Sequence, residues 1–365
     1  MDPRRLTFKP VRWLGAPAPG GLLLPAAAPS RETMYAPRGV YFDDRTVIVA
    51  DSGNHRVLIW HGFPERDHAP ADVVLGQPDF TSEGPRLLHL PTAVAVYEGR
   101  LFVADAWHHR ILIWNEVPTS SGAPPDAVIG QASMDGVLPN RGGPVHPLGL
   151  YWPYGMAYLA GRFYIADTGN RRVLGWDGIP EGDRPPDVVL GQPDGYTGLE
   201  NRGKGVSADA FRWPHALAGD ERRLYVADAG NHRVLGFSPH PTGDRPADLV
   251  LGQSDFNRNF ELPHVPQGPR RMRFPYGVAL CAFGLAVADT ANNRVLLFAD
   301  VPERGAFYPA QAVLGQADFE ASGENRWQGV APDTMCWPYG LWCHKGRLAV
   351  ADTGNNRVMF WELVA

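Results

Sequence analysis

An eleven-residue segment recurs six times along the chain, and this repeat constrains the fold more than any other feature of the sequence. The first copy occupies residues 50–60 and reads Ala-Asp-Ser-Gly-Asn-His-Arg-Val-Leu-Ile-Trp; the other five begin at Ala104, Ala166, Ala227, Ala288 and Ala351. Every copy keeps an Asp and an Arg five positions apart and ends on Trp or Phe. Such a regular recurrence indicates one supersecondary unit used repeatedly rather than a set of unrelated domains.

The surroundings of each copy predict four short strands per unit. A Pro-x-Gly or Pro-x-Ala and a short apolar run stand before it, and a run ending in Gly-Gln follows each of the first five copies. The 41 Gly and 35 Pro residues mark the turns between these runs. Four-stranded units around an axis form a β-propeller, because radial repetition leaves only short edges exposed. The sequence therefore predicts an all-β fold, a six-bladed β-propeller of four-stranded antiparallel blades.

The two ends of the chain predict how the ring closes. The sixth unit stops at Ala365, directly after its third strand, and has no run ending in Gly-Gln. Residues 10–15, Pro-Val-Arg-Trp-Leu-Gly, supply a matching run at the other end of the chain. We therefore expect the N-terminal strand to complete the last blade, so that residues 1–365 form a single domain.

The repeated motif resembles the NHL repeat. Ala-Asp-Thr/Ser-Gly-Asn-x-Arg-Val-Leu preceded by Pro-x-Gly-Val carries the resemblance, which covers nearly the whole chain. It implies a six-bladed propeller. It does not select a function, since NHL propellers serve as enzymes, protein-binding platforms, RNA binders and sensor domains.

Residues that recur in every blade are expected to be structural. The Asp and Arg of each copy should face one another across two antiparallel strands, and a group present six times around a ring is not one catalytic centre. The terminal Trp or Phe should pack between blades. His55, His109 and His232 precede the Arg in three copies, where the other copies have Arg or Asn, and they are expected to be solvated turn residues.

Departures from the repeat are where function is expected, at the channel mouth on the face formed by the connections between blades. The residue between Pro and Gly or Ala is one such departure. Around the ring it is Arg38, Thr92, Tyr154, His215, Tyr276 and Tyr339. A cation, three phenols and an imidazole suit a small anionic or aromatic ligand, or a peptide tail. The alternative is that these rings only cap the blade cores.

Two further departures are candidate contacts for a partner. Trp107 and His108 replace the Gly-Asn of the second copy, which places an aromatic side chain on the rim. Arg270, Arg271 and Arg273 cluster before the inner strand of blade five and could bind a phosphate or an acidic segment.

No metal or cofactor site is predicted. The inner strands contain no Asp, Glu, Asn or Gln to bind calcium, and His215 alone does not make a zinc site. Cys281, Cys336 and Cys343 are expected to be buried thiols that act as small apolar side chains, so no disulfide framework is expected. A metal in the channel stays open as an alternative.

The first hypothesis is therefore a non-catalytic binding propeller that takes a protein partner or small ligand at its loop-rich face and channel mouth. The alternative is a metal-assisted lyase or hydrolase, resembling the NHL-type amidating lyases, in which Tyr276, Tyr339, His215 and Arg38 are acid–base and anion-holding groups. RNA binding through the three arginines is the weakest hypothesis.

Charge and hydropathy bear on partners and location. The net charge of −5 and the pI near 6.2 argue against nucleic acid and anionic membranes as partners. The apolar stretch at 20–29 is too short and too rich in Pro and Gly for a signal core or a membrane span. No membrane insertion and a cytoplasmic location are expected.

Overall fold

A computed structural model describes residues 6–15 and 28–364 and confirms the six-bladed propeller. Six sheets surround a central channel, and each sheet contains four antiparallel strands ordered from the channel to the outer edge. The chain begins with β1 (Thr7–Gly15). Blade one has β2 (Gly39–Phe42), β3 (Thr46–Asp51), β4 (Arg56–His61) and β5 (Val73–Leu75). Blade two has β6 (Ala93–Tyr97), β7 (Arg100–Asp105), β8 (Arg110–Trp114) and β9 (Ala127–Ile129). Blade three has β10 (Pro153–Leu159), β11 (Arg162–Asp167), β12 (Arg172–Asp177) and β13 (Val188–Leu190).

The second half of the ring follows the same plan with one addition. Blade four has β14 (Pro214–Gly219), β15 (Leu224–Asp228), β16 (Arg233–Phe237) and β17 (Leu249–Leu251). Blade five has β18 (Pro275–Cys281), β19 (Gly284–Asp289), β20 (Arg294–Phe298) and β22 (Ala312–Leu314). Blade six has β23 (Pro338–His344), β24 (Arg347–Asp352) and β25 (Arg357–Val364). The addition is β21 (Gly305–Ala306), which leaves blade five to pair in parallel with β17 of blade four.

The ring closes as the sequence predicts. Strand β1 pairs antiparallel with β25, from Thr7 opposite Val364 to Gly15 opposite Arg357, and so becomes the fourth strand of blade six. Leu14 of this strand is completely buried in the core beside Val358. Closure therefore rests on backbone pairing and apolar burial together.

Each Asp–Arg pair is a buried brace within its blade. The Arg Nε lies 2.7–3.0 Å from the Asp Oδ2 in all six copies, and both side chains are buried. In blade one, the other guanidinium nitrogens of Arg56 donate to the backbone carbonyls of Ser30, Thr33 and Phe80. Because the cation is fully hydrogen-bonded, its burial is compensated. The structural role predicted for these residues is confirmed.

The packing predicted for the aromatic residue at the end of each copy is confirmed as well. All six side chains are buried, with at most 3% of their surface exposed: Trp60, Trp114, Trp176, Phe237, Phe298 and Trp361.

The prediction that the turn histidines are solvated is wrong. His109 and His232 are only 7% and 3% exposed. The Nδ1 of His109 accepts the backbone N–H of Trp152 in the next blade at 3.1 Å, and His55 and His232 make the same bond. Asn293 and Asn356 make it with their amide oxygens. These residues therefore hydrogen-bond one blade to the next, and we call these bonds staples. The residue types in the turn do not reveal this contact.

The expectation of three free thiols is wrong for two of them. Cys281 at the end of β18 and Cys343 near the end of β23 form a disulfide, with Cα atoms 5.4 Å apart. Cys336 is free and buried, as expected. The two bonded cysteines are 62 positions apart, one fewer than Pro275 and Pro338, which begin their strands, so the bond joins positions of neighbouring inner strands that are offset by one residue.

The membrane prediction rests on the apolar stretch at 20–29, of which residues 20–27 lie outside the described residues. No helix among residues 6–15 and 28–364 is long and apolar enough to cross a membrane.

Candidate functional site

The six residues between Pro and Gly or Ala converge at one mouth of the central channel. They are Arg38, Thr92, Tyr154, His215, Tyr276 and Tyr339, and all of them line the same cavity. We call this set the mouth belt. The sequence predicted that these positions would lie together, and the structure brings all six together at the start of the inner strands.

β-Bulges aim four of these side chains at the channel. In blades three to six the register of the inner strand shifts immediately after the Pro, at Tyr154, His215, Tyr276 and Tyr339. In blades one and two the inner strand begins after this position, at Gly39 and Ala93, without a shift. A bulge inserts one residue into a strand and redirects its side chain. The four bulged residues are the aromatic members of the belt.

The glycine after the bulged residue lets neighbouring inner strands approach closely. A Cβ added at Gly277 would lie 2.0 Å from the backbone oxygen of Tyr339, and one at Gly155 would lie 2.2 Å from that of His215. No side chain fits at those distances. At Gly155 and Gly277 the glycine of Pro-x-Gly is therefore required for close packing against the next inner strand, whereas blades two and four have Ala93 and Ala216 at this position.

This approach brings the belt side chains into a continuous row. Ring centroids are 4.5 Å apart for Tyr154 and His215, 4.4 Å for His215 and Tyr276, and 4.5 Å for Tyr276 and Tyr339. The Arg38 guanidinium continues the row, with its Cζ 5.2 Å from the centroid of Tyr339. The Thr92 hydroxyl donates to the carbonyl of Tyr154 at 3.0 Å at the other end. Offset aromatic pairs at these separations each stabilise by about 0.5–1.5 kcal/mol.

Arg38 is the cation of the belt, and no carboxylate among the described residues pairs with it. Its Nε is buried and has no hydrogen-bond partner in that part of the chain. The cation–π contact with Tyr339 leaves the guanidinium free to donate toward the channel. A positive charge at the mouth favours an anionic group on whatever enters.

His215 is neutral near pH 7. Burial lowers the pKa of His215 to about 4; the Trp213 carbonyl opposes this shift and the nearby Arg38 adds to it. Its Nδ1 lies 3.0 Å from that carbonyl. A carbonyl only accepts, so Nδ1 carries the proton and Nε2 keeps its lone pair.

The two adjacent phenols are held in their neutral form. Burial raises the pKa of Tyr276, with Tyr339 and Tyr154 adding to the shift, and burial also raises the pKa of Tyr339. The belt therefore offers hydroxyl groups, one neutral imidazole and one cation.

Below the belt the channel becomes apolar. The cavity has a volume of about 1040 Å³, including space open to solvent. Its wall includes Met156, Leu217, Val278 and Leu341, and toward the far ends of the inner strands it includes the larger side chains Tyr97, Tyr158 and Trp342 together with Cys343. Sequence reasoning missed this deeper wall. The available signal was the change from small to large side chains toward the end of the inner strands in blades two, three and six.

The rim pair of blade two divides into two roles. Trp107 is 38% exposed and contacts His89 and Trp152, with ring centroids 5.7 and 5.5 Å apart. His108 instead takes the place of the Asn found in the other copies, with its Nδ1 3.0 Å from Asp105 Oδ2. Trp107 is thus available to a partner, whereas His108 is engaged within its own turn.

The three arginines do not form one patch. Arg273 pairs with Glu261 at 2.6 Å. Arg270 and Arg271 both lie against Phe307, with Cζ atoms 5.5 and 4.5 Å from the ring centroid. The predicted cluster therefore separates into one neutralised arginine and one adjacent pair.

The described residues do not supply a cluster of metal ligands. Within 6–15 and 28–364, no three His, Cys, Asp or Glu side chains lie close enough together to hold a metal ion. At the mouth, His215 is the single imidazole of the belt, and the other belt residues supply phenols, a hydroxyl and a guanidinium.

Comparisons with known proteins identify the repeat and the fold. Residues 34–60 match the NHL repeat. No curated protein sequence matches the chain. Virginiamycin B lyase from Staphylococcus aureus aligns at 11% identity and a TM-score of 0.47, over 92% of this chain and 98% of the lyase. Raptor from Chaetomium thermophilum aligns at 12% identity and a TM-score of 0.50, over 99% of this chain and 29% of Raptor. At these identities the likeness concerns the fold.

Proposed function

The chain is an NHL-repeat six-bladed β-propeller, and on that premise we propose that it is a non-catalytic binding protein whose channel holds a small amphipathic molecule. The anionic group of this ligand lies at Arg38, and its aromatic or aliphatic body extends past the mouth belt into the apolar channel. The observation that carries the proposal is Arg38, which pairs with no carboxylate in the described part of the chain, beside a row of four rings.

Charge supports the anionic end of the ligand. No carboxylate among the described residues pairs with Arg38, and burial holds His215, Tyr276 and Tyr339 in their neutral forms near pH 7. A guanidinium hydrogen bond to a carboxylate or sulfonate is a strong, charge-assisted one. A cationic ligand would meet only repulsion from Arg38.

Shape and polarity support the apolar body. Ligand sites are typically concave, mostly apolar cavities with a few polar groups that fix orientation. The channel has this composition, with its polar side chains at the mouth and Met156, Val278 and Leu341 below them. Preformed stacking of the belt reduces the ordering cost of binding.

The lyase or hydrolase alternative has weaker support at the same residues. A general base works best with a pKa near the working pH, and burial lowers the pKa of His215 to about 4. Because burial raises the pKa of Tyr276 and of Tyr339, both phenols stay protonated near neutral pH and are not available as general bases. Elemental analysis of the purified protein tests this alternative: stoichiometric zinc or calcium would favour it over simple binding.

A second candidate is a protein partner on the loop-rich face. Its support is the large exposed aromatic side chains there, including Trp107, Trp327 and Trp337, which are 38%, 82% and 42% exposed. Exposed tryptophan is typical of binding hot spots. If a partner docks there, crosslinking in the native cell captures it with the natural chain and loses it with the Trp107→Ala/Trp327→Ala variant.

The channel proposal is tested with 8-anilinonaphthalene-1-sulfonate, which joins an aromatic body to one anionic group. We expect saturable binding of one molecule per chain, and about tenfold weaker binding by Arg38→Met, since one charge-assisted hydrogen bond contributes about 1.5–3 kcal/mol. Arg86→Met, which removes an exposed arginine of blade two, is the matched control for charge. Near-ultraviolet circular dichroism confirms that each variant keeps its packing. Equal affinity of the natural chain and Arg38→Met would overturn the proposal.

A further inference from the structure

A pair of adjacent arginines lies away from the channel, and no carboxylate among the described residues neutralises it. Arg270 and Arg271 are on the connection that enters blade five, and both guanidinium groups lie against the ring of Phe307. Phe307 directly follows β21, and its backbone N–H donates to Val250 of β17 at 3.2 Å. The pair therefore sits where the extra strand joins blade five to blade four.

Neither arginine forms an ion pair with a carboxylate in the part of the chain that the structure describes. The Nη1 of Arg271 is buried and lacks a hydrogen-bond partner there. Burial lowers the pKa of Arg271, and no carboxylate offsets this shift. A buried guanidinium nitrogen without a partner costs about 1–3 kcal/mol. Two neighbouring cations repel one another as well.

The backbone holds this pair in place. The carbonyl of Pro269 accepts the N–H of Ala310 at 2.8 Å, and the carbonyl of Arg271 accepts from the buried Arg294 at 3.1 Å. Phe307 has a positive φ of 62°, which is unfavourable for a bulky residue and places its ring beside the arginines. The arrangement is thus fixed before any ligand arrives.

We propose that Arg270 and Arg271 form a binding site for a phosphate monoester, with Phe307 as the platform that holds the two guanidinium groups side by side. A phosphate monoester carries about −1.5 to −2 charges at pH 7, which matches two cations, whereas a carboxylate matches one. Its three terminal oxygens can accept hydrogen bonds from both guanidinium groups at once.

Polynucleotides fit this site less well than a single phosphate monoester. Each backbone phosphate of RNA carries one negative charge, and affinity for RNA comes from many such contacts along a basic groove. Here the third arginine of the sequence cluster, Arg273, is neutralised by Glu261, and the chain has a net charge of −5. The site is therefore built for one doubly charged group.

The experiment uses calorimetric titration of the full chain with inorganic phosphate, free O-phosphoserine, a peptide containing phosphoserine, and a single-stranded RNA oligomer. We expect binding of inorganic phosphate and O-phosphoserine, and at least tenfold weaker binding by Arg270→Ala, because each charge-assisted hydrogen bond contributes about 1.5–3 kcal/mol. Tighter binding of the peptide than of O-phosphoserine identifies a phosphorylated protein as the source, and equal binding identifies a small phosphorylated molecule.

A control variant, a stability measurement and a conservative substitution accompany this titration. Arg86→Ala removes an equivalent exposed charge in blade two and should leave phosphate affinity unchanged. Arg270 is exposed, so its replacement should not alter the melting temperature; Arg271→Lys keeps the charge but loses the planar fork and should bind several-fold more weakly. Phosphate that binds no better than chloride, or equally well to Arg270→Ala, overturns the proposal, as does preference for RNA over every monoester.

Discussion

Blades one and two differ from blades three to six at the channel mouth, although all six blades share the same outer framework. Blades three to six carry a β-bulge at the mouth and an aromatic or imidazole side chain on it. Blades one and two have no bulge and contribute Arg38 and Thr92. A repeated scaffold therefore becomes an asymmetric site through a small backbone change and one side chain per blade. The row of rings needs both the bulge and the side chain that it carries.

The largest effect on stability is expected from removing the disulfide between two of the blades that carry a bulge. Cys281→Ala with Cys343→Ala removes the disulfide between blades five and six and should lower the free energy of unfolding by about 2–4 kcal/mol. Urea denaturation with and without a reductant measures this: the natural chain should be sensitive to the reductant and the variant insensitive. Three titratable thiols in unreduced, unfolded protein would show that the bond is absent.

The same thiol count on protein taken from its native cell addresses location. Disulfides are rare in a reducing cytosol, so one free thiol per chain would argue against the predicted cytoplasmic location, and three would favour it.

A smaller effect is expected from adding a side chain at the glycine that follows a bulged residue. Gly277→Ala places a Cβ 2.0 Å from the Tyr339 backbone oxygen and should cost about 1–3 kcal/mol, because the inner strands of blades five and six must separate. Gly243→Ala is the matched control, since its added Cβ meets nothing within 4 Å. Thermal denaturation compares the two. Equal melting temperatures would show that close approach of the inner strands is not required.

The smallest effect depends on pH and concerns the staples between blades. Burial lowers the pKa of His109 to about 4, with His108 adding to the shift, against about 6.5 in the unfolded chain. Protonation therefore favours unfolding: the contribution of His109 is complete above pH 6.5 and is lost as the pH falls toward 4.

His109→Asn tests this staple directly. Asn293 and Asn356 accept the equivalent N–H in blades five and six, so the variant keeps the bond and loses the titration. At pH 5 it should be about 1 kcal/mol less destabilised, relative to pH 7.5, than the natural chain. Parallel loss of stability in both proteins between these pH values would contradict the role of His109.

Most of the fold could be predicted because the repeated residues act locally. The Asp–Arg pair is five positions apart, and each Pro-x-Gly begins its own strand, so periodicity alone locates the blades and the closing strand at 10–15. The convergence of the belt followed from the same periodicity, since equivalent positions of different blades meet at one level of the channel.

The features that could not be predicted depend on contacts between blades. The staple made by His109 needs the N–H of Trp152, 43 positions later. The disulfide needs two neighbouring inner strands at the right distance, and the separation of Arg273 from Arg270 and Arg271 depends on Glu261 and Phe307. Residue types in a single blade do not contain this information.

The closing strand also has a consequence for biosynthesis. Strand β1 is synthesised before every other strand of the propeller, yet its partner β25 lies about 350 residues further along the chain and is the last of these strands to be made. At typical rates of about 5–20 residues per second, β1 waits for tens of seconds with its pairing edge open. An unpaired strand edge is a template for association with other chains. We therefore expect the nascent chain, rather than the finished ring, to be the state most in need of chaperone protection.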